Sequence, residues 1–212
     1  MERVLPSDVA VAECHGELDE PLHPSEKDAI AGALDERFRE FRTVRGCARI
    51  ALSTLGIDRP AMAPGPSGAS PWPPGTVGSM THCTGYRAAA VALADRYVSV
   101  GVDAEPHKPL PTDLVTAVLR PEEQRELAAF APAVHADRVI FSAKEAVYKA
   151  WSAVTDTWLG FQQVHVTMGA ATGTFTARLP LDRPVSLPPT LTGRWLTDRD
   201  LVLTGLVAER PL

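Results

Sequence analysis

The sequence predicts an α+β fold made of two similar α/β lobes, each an antiparallel three-stranded sheet packed with helices. One observation is the alternation of helical and strand periodicity along the 212 residues. Another is that the order of helix and then strands occurs in both halves, although no sequence repeat is visible. We therefore expect an N-terminal lobe over residues 1–107 and a C-terminal lobe over 108–212, which together form one domain.

The first half begins with a predicted amphipathic helix over residues 25–56. Ser25 suits the N-cap, Gly56 ends the helix, and apolar residues recur in steps of three and four, with one break. Residues 59–75 are rich in proline and glycine and predict an ordered loop across one face of the lobe. An antiparallel meander is predicted next, with strands over 76–83, 87–94 and 97–105.

The second half repeats this order. Helices are expected within residues 112–130, with Pro121 at a helix start. A stronger helix over 136–154 carries an apolar stripe. The remaining strands are predicted over 163–168, 173–179 and 191–209, the last folding back at 198–200.

Composition narrows the class of protein. A net charge of −5 argues against a general nucleic-acid binder. The longest apolar run, residues 88–94, is far shorter than the ~20 residues that span a membrane, and the acidic N-terminus does not resemble a signal peptide. Cys14, Cys47 and Cys83 lack the spacing of a zinc site or redox pair and predict reduced thiols. We expect a soluble, cytoplasmic protein with no membrane association.

Two short acidic motifs are candidates for chemistry. Asp103 and Glu105 lie on one face of the strand over 97–105, while Glu145 and Lys149 lie one helical turn apart. Alone, each motif is more often a solvated edge or a helix ion pair. Three converging carboxylates would repel by about 4 kcal/mol per pair at ~4 Å and an effective dielectric near 20, unless a cation joins them. An incomplete oxygen cage of this kind suits Mg²⁺ bound to substrate phosphates.

The motifs resemble a known family when they are taken with their surroundings. "EFRTVRGCARIAL" (40–52), "WPPGTVGSMTHCTGYRAAAVA" (72–92), "SVGVDAEPH" (99–107), "FSAKEAVYKAW" (141–151) and "WLGF" (158–161) occur in family order. Together they resemble the Sfp-type 4′-phosphopantetheinyl transferases, in particular the siderophore-synthetase component and actinobacterial subgroup. The resemblance implies a pseudo-symmetric pair of lobes with the active site between them. It also implies transfer of phosphopantetheine from coenzyme A to a serine of an apo carrier protein, which releases 3′,5′-ADP.

The resemblance also implies roles for the acidic and basic residues of the two motifs. Asp103 and Glu145 would ligate Mg²⁺, with Mn²⁺ possible, and Glu105 would join directly or through water. Glu145 would also serve as the base for the acceptor serine. Lys149 would hold the phosphate under attack, assisted by Lys144.

Further residues are expected to bind coenzyme A on the same grounds. His82 and Ser79 would contact its phosphates, and His82 is counted among the catalytic residues. Arg37 and Arg45 would grip the 3′-phosphate. Relatives often carry a basic residue near Ser67, and its absence here places more of the phosphate binding on the helix arginines.

Two other functions compete with this one: a metal-dependent phosphodiesterase or nuclease, and a carrier-binding module without catalysis. Partners expected for the transferase are acyl or peptidyl carrier proteins of fatty-acid, polyketide, nonribosomal-peptide or siderophore assembly. Docking is expected in an apolar groove beside the second lobe, with basic residues such as Arg120, Arg125 or Arg138 at its rim. A monomer would hold a complete site.

Overall fold

The computed structural model describes residues 1–64, 72–131, 133–180 and 186–211. The helices are α1 (Pro24–Ala29), α2 (Asp35–Thr54), α3 (Thr112–Val118), α4 (Pro121–Glu126) and α5 (Ala136–Thr155), with 3₁₀ turns at Glu2–Val4, Leu127–Ala129 and Phe161–Gln163. The strands are β1 (Ala10–Cys14), β2 (Thr76–Cys83), β3 (Tyr86–Leu93), β4 (Tyr97–Pro106), β5 (His165–Gly169), β6 (Thr174–Arg178), β7 (Thr190–Asp198) and β8 (Leu201–Glu209).

The strands of the described residues form two antiparallel sheets. The first has three strands in the order β1-β3-β2, and the second has five in the order β4-β8-β7-β6-β5. The α+β class is confirmed. The prediction of three strands in each sheet is wrong for the second sheet, which has five because β4 joins the four later strands.

The prediction of a meander is therefore wrong in its third strand. β4 pairs with β8 along its length and not with β3. On its other edge, the backbone N–H groups of Val102 and Ala104 donate hydrogen bonds of 3.1 Å to the hydroxyls of Ser79 and Thr81 on β2. These side-chain bonds hold β4 against β2 without a backbone ladder, so β4 connects the two sheets.

The two faces of β4 contact different parts of the molecule. Val100, Val102 and Ala104 pack in a core with residues of β3, whereas Asp103 and Glu105 both bond to side chains of α5. The prediction that these two carboxylates share a face thus agrees with the structure. Tyr97 is at an odd-numbered position like these carboxylates but lies in the core with Val100, because a register shift separates Tyr97 from Ser99.

The first sheet packs against α2. Cys47, Ala48, Ala51 and Leu52 of this helix form a core with side chains of β3. The predicted break in the helix is the gap between α1 and α2, and Gly56 follows α2 with φ +73°, a left-handed backbone that glycine adopts at little cost. β1 was not predicted because five residues in a polar segment give too short an alternation.

The second sheet packs against α5. All five residues of the predicted stripe on this helix are buried: Ile140, Ala143, Val147, Ala150 and Trp151. Gly101 of β4 allows the closest approach of the strand and the helix, since a Cβ there would lie 2.0 Å from the carbonyl oxygen of Ala146. The absence of a side chain at this position sets the distance between the strand that carries Asp103 and the helix that carries Glu145.

Three points remain: the lobe boundary, the proline-rich segment and the character of the helices. The lobe boundary at residue 107 stays a prediction. Residues 65–71 of the proline-rich segment, which include Ser67, lie outside the described residues. Among the helices of the described ranges, none has the length and apolar character that crossing a bilayer requires.

Candidate active site

A cleft of about 1040 Å³ lies between α2, β2, β4 and the second half of α5. One part of its wall carries Arg37, Arg45, Ser79 and His82, and Lys149 also lines it. Another part carries Tyr148 and Trp158, whose rings lie 5.0 Å apart; Trp158 is 73% exposed. The cleft thus combines hydrogen-bond donors suited to anions with an aromatic surface suited to a neutral chain.

Asp103 is the most tightly held of the predicted metal ligands, with only 4% of its surface exposed. Its carboxylate accepts hydrogen bonds from Lys149 Nζ at 2.7 Å, Ser142 Oγ at 2.8 Å and Thr81 Oγ1 at 3.3 Å. Donors from β2 and from two positions of α5 therefore fix the orientation of Asp103.

Ser142 and Thr204 extend this network, and neither was predicted. Thr204 of β8 donates to the backbone oxygen of Ser142 at 3.0 Å, and the two hydroxyl oxygens lie 2.9 Å apart. Both residues are fully buried. A sequence signal for Ser142 existed, since it lies two helical turns before Lys149 and so on the same side of the helix.

The other two carboxylates are perturbed by their surroundings. Burial raises the pKa of Glu105 to about 7, and the charge of Asp103 adds to this effect, while Arg138 opposes it through an ion pair of 2.9 Å. Burial and Asp103 also raise the pKa of Glu145, and Lys149 opposes them. Among the described residues, Glu145 forms no hydrogen bond or ion pair, so its carboxylate is available to a ligand.

The metal site can be tested against this arrangement. No group of three His, Cys, Asp or Glu side chains stands ready to hold an ion within the part of the chain that the structure describes. The donor chemistry nevertheless fits a divalent cation, because Asp103 raises the pKa of both Glu105 and Glu145 and a cation would relieve that repulsion. The ligand set of Asp103, Glu105 and Glu145 stays a prediction.

The two lysines of the helix motif have different environments. Lys149 Nζ donates to Val102 O at 3.0 Å as well as to Asp103, and it lines the cleft. The predicted contact of Lys144 with coenzyme A stays a prediction, and the contacts of this lysine do not favour it: Lys144 is 2% exposed. Its three donors go to Val118 O at 2.8 Å, Phe161 O at 2.9 Å and the Glu123 carboxylate at 2.7 Å.

The physical reason is the helical period. Lys144 and Lys149 are five residues apart and therefore about 140° apart around α5. Lys144 points away from the cleft and toward α4, where it forms a buried ion pair with Glu123.

Arg45 and Ser79, both predicted to contact coenzyme A, form hydrogen bonds within the wall of the cleft. Burial lowers the pKa of Arg45 to about 10. Arg45 Nε donates to Met62 O at 3.1 Å, and its guanidinium lies 3.2 Å from the centre of the Phe41 ring. Ser79 is buried, and its hydroxyl accepts the N–H of Val102. Both residues line the cleft.

His82 and Arg37 belong to a cluster with Glu40 and Arg87, two residues that were not predicted. His82 Nε2 lies 2.9 Å from an Arg37 nitrogen, and His82 Nδ1 lies 3.4 Å from Glu40. Glu40 also lies 3.6 Å from Arg37 and 3.8 Å from Arg87. Burial lowers the pKa of His82, Glu40 opposes this, and the charge of Arg37 lowers it further.

Comparison with known proteins identifies the family. Residues 25–92 match the model of the 4′-phosphopantetheinyl transferase N-terminal domain, and residues 99–192 match that of the 4′-phosphopantetheinyl transferase superfamily. The chain belongs to this superfamily. The predictions of the family and of an enzyme are confirmed for this phosphopantetheinyl transferase.

Individual transferases resemble the chain over most of its length. It is 45% identical over 210 residues to 4′-phosphopantetheinyl transferase PptT of Mycobacterium tuberculosis, covering 94% of this chain and 92% of the relative. It is 45% identical over 196 residues to Svp of Streptomyces mobaraensis, covering 90% and 80%. It is 43% identical over 219 residues to Npt of Nocardia iowensis, covering 97% and 98%. The phosphopantetheinyl transferase relationship thus spans both sheets.

Proposed function

We propose that this protein transfers 4′-phosphopantetheine from coenzyme A to a serine of an apo acyl or peptidyl carrier protein and releases 3′,5′-ADP, with Mg²⁺ as cofactor and Mn²⁺ as a possible substitute. The observation that carries the proposal is the composition of the cleft. Arginine, histidine and lysine side chains line it together with an aromatic pair. Two of the elements around it, β4 and α5, also carry Asp103 and the two carboxylates whose pKa is raised, Glu105 and Glu145.

Coenzyme A has two chemically different halves that suit the two parts of the cleft wall. The phosphates of its nucleotide half would bind at Arg37, Arg45 and His82, since a guanidinium presents several donors to a phosphate. Its pantetheine arm is neutral and flexible, and the Tyr148 and Trp158 rings offer it a surface without charge.

The reaction joins the serine oxygen of the carrier to the phosphorus that bears the pantetheine arm, and it breaks the bond from that phosphorus to the oxygen of the leaving 3′,5′-ADP. Glu145, whose pKa is raised, would take the serine proton directly or through water. Lys149 would donate to the phosphate under attack. In the free protein Lys149 bonds to Asp103, so its ammonium is already placed by β4.

Asp103 and Glu145 would hold the divalent cation, with Glu105 bound directly or through water. The cation would supply positive charge to the pyrophosphate and to the departing nucleotide. Ser142, Thr81 and Lys149 keep the Asp103 carboxylate in one orientation. Outer hydrogen bonds of this kind raise the affinity of metal sites.

The acceptor would be a carrier protein and not a nucleic acid, in keeping with the net charge of −5. Arg120 and Arg125 remain candidates for rim contacts. Arg138 already forms an ion pair with Glu105, so it would have to contact the carrier protein while keeping or loosening that ion pair. We also propose a cytoplasmic monomer, since one chain supplies every wall of the cleft.

Incubation with coenzyme A, Mg²⁺ and an apo carrier protein tests the function. A gain by the carrier of the mass of one phosphopantetheine supports the transferase. Glu145→Gln should lower the rate about 10²–10⁴-fold, whereas Asp95→Asn, which alters an exposed carboxylate in the turn between β3 and β4, should leave it unchanged. Cleavage of added nucleic acid would favour the phosphodiesterase instead. Binding of the carrier without any change in its mass would favour the binding module.

A further inference from the structure

The cluster around His82 fixes the position of its ring proton. A guanidinium has only donors, so the 2.9 Å contact from Arg37 requires a lone pair on His82 Nε2. The proton of the neutral ring is therefore on Nδ1, which faces Glu40 at 3.4 Å. In the free protein, His82 is neutral and cannot donate a hydrogen bond through Nε2.

The surrounding charges explain why the ring stays neutral. Arg37 of α2, Arg87 of β3 and Lys149 of α5 all place positive charge near it, and burial further disfavours the imidazolium. Among the charges of the described residues that act most on the ring, Glu40 of α2 supplies the negative one. A ligand that neutralises Arg37 would remove part of the repulsion that disfavours a proton on Nε2. The attraction of the Glu40 carboxylate for that proton would remain.

We propose that binding of the coenzyme A phosphates draws Arg37 away from His82, that His82 Nε2 then takes up one proton from water, and that Glu40 is the positioning residue for this step. The proposal rests on the proposed function only in taking coenzyme A as the ligand. The proton stays on Nε2, which donates a hydrogen bond to a phosphate oxygen of coenzyme A. Apart from this new N–H bond, no covalent bond forms or breaks. Glu40 faces Nδ1 before and after uptake, so the ring keeps its orientation while its charge changes.

Proton uptake on binding has a measurable consequence. Between the pKa of His82 in the free protein and its pKa in the complex, the binding constant for coenzyme A should fall up to about tenfold per pH unit as the pH rises. A histidine that contacts phosphate without changing its charge would give no such slope. The second ionisation of a phosphate monoester, with a pKa near 6, also contributes protons, but this contribution is common to all variants.

Calorimetric titration with coenzyme A tests the proposal in the presence of EDTA and without carrier protein. Repeating the titration in buffers of different ionisation enthalpy counts the protons taken up. Compared with His82→Gln, the intact protein should take up as much as one more proton per ligand at neutral pH. Glu40→Gln should remove most of this difference, and Glu40→Asp should retain it. Glu36→Gln, an exposed carboxylate on the same helix, should leave it unchanged.

The outcomes separate the two proposals. If coenzyme A does not bind in EDTA, the titrations are repeated with Mg²⁺, and the proposed function fails if binding is absent there as well. If it binds and the intact protein takes up no more protons than His82→Gln, the proton proposal is wrong and the proposed function stands. Equal uptake by Glu40→Gln and the intact protein would overturn the role of Glu40. Should Glu40→Gln not fold, the His82 imidazole signal in the NMR spectrum of the intact protein decides: it should move toward the protonated shift when coenzyme A is added, and no movement would refute the uptake.

Discussion

Replacing Lys144 with methionine tests whether this lysine stabilises the fold or binds substrate. The substitution keeps most of the side-chain volume but removes three donors, to Val118 O, Phe161 O and Glu123. Glu123 is fully buried and would keep its bonds from the N–H groups of Arg120 and Val166, while losing its counter-charge. Removing one partner of a buried ion pair costs about 3–5 kcal/mol. That is a large share of the about 5–15 kcal/mol that stabilises a typical domain.

Urea unfolding measures this loss, and titration with coenzyme A measures binding by the folded protein. We expect Lys144→Met to lower the free energy of unfolding by about 3–5 kcal/mol without changing the affinity for coenzyme A. Adding Glu123→Gln should recover part of the loss, because the buried charge is then gone. Lys27→Met, at an exposed position of α1, should change stability by less than about 0.5 kcal/mol.

The reverse pattern would refute this reasoning. If Lys144→Met kept the stability of the unaltered protein but weakened coenzyme A binding tenfold or more, Lys144 would reach the ligand after all. The role that the family resemblance implied would then be supported.

Three further predictions concern the candidate active site. Ser142→Ala removes a donor to Asp103 and should weaken Mg²⁺ activation about 10–100-fold, measured as the metal concentration for half-maximal rate. Because the folded chain raises the pKa of Glu105 from 4.5 to about 7, it binds more protons than the unfolded chain between these values. The stability this group contributes is present below pH 4.5 and lost as the pH rises through 7. In EDTA, the free energy of unfolding of the intact protein should therefore fall by up to about 1.4 kcal/mol per pH unit between these values, relative to that of Glu105→Gln. An equal pH slope for both proteins would contradict this. Trp158→Ala should weaken binding of coenzyme A more than that of 3′,5′-ADP, and equal weakening would place the pantetheine arm elsewhere.

Local patterns predicted most of the elements but not the pairing of β4. Its alternating residues and the short connection before it favour a hairpin with β3. The partner it pairs with, β8, begins about a hundred residues later, and the bonds from Val102 and Ala104 go to side-chain hydroxyls of β2. No local sequence pattern reports either contact. The helices were easier to predict because their periodicity is contained within the segment that forms them.

The same distinction holds within the site. Positions on one helix face could be derived from spacing, which grouped Glu145 with Lys149 and could also have separated Lys144 from both. Contacts between distant segments could not be derived in this way. Glu40 meets His82 only because α2 lies against β2, and Thr204 meets Ser142 only because β8 lies beside β4.

The bare backbone at Gly101 has a consequence for attempts to redesign the enzyme. A methyl group there would meet the Ala146 carbonyl at 2.0 Å and would wedge strand and helix apart. The two bonds from Lys149, to Val102 O at 3.0 Å and to Asp103 at 2.7 Å, bridge the same seam. Engineering for new carriers or analogues of coenzyme A should therefore keep glycine at this position, since alanine would move β4 away from α5 and displace Asp103 from Lys149.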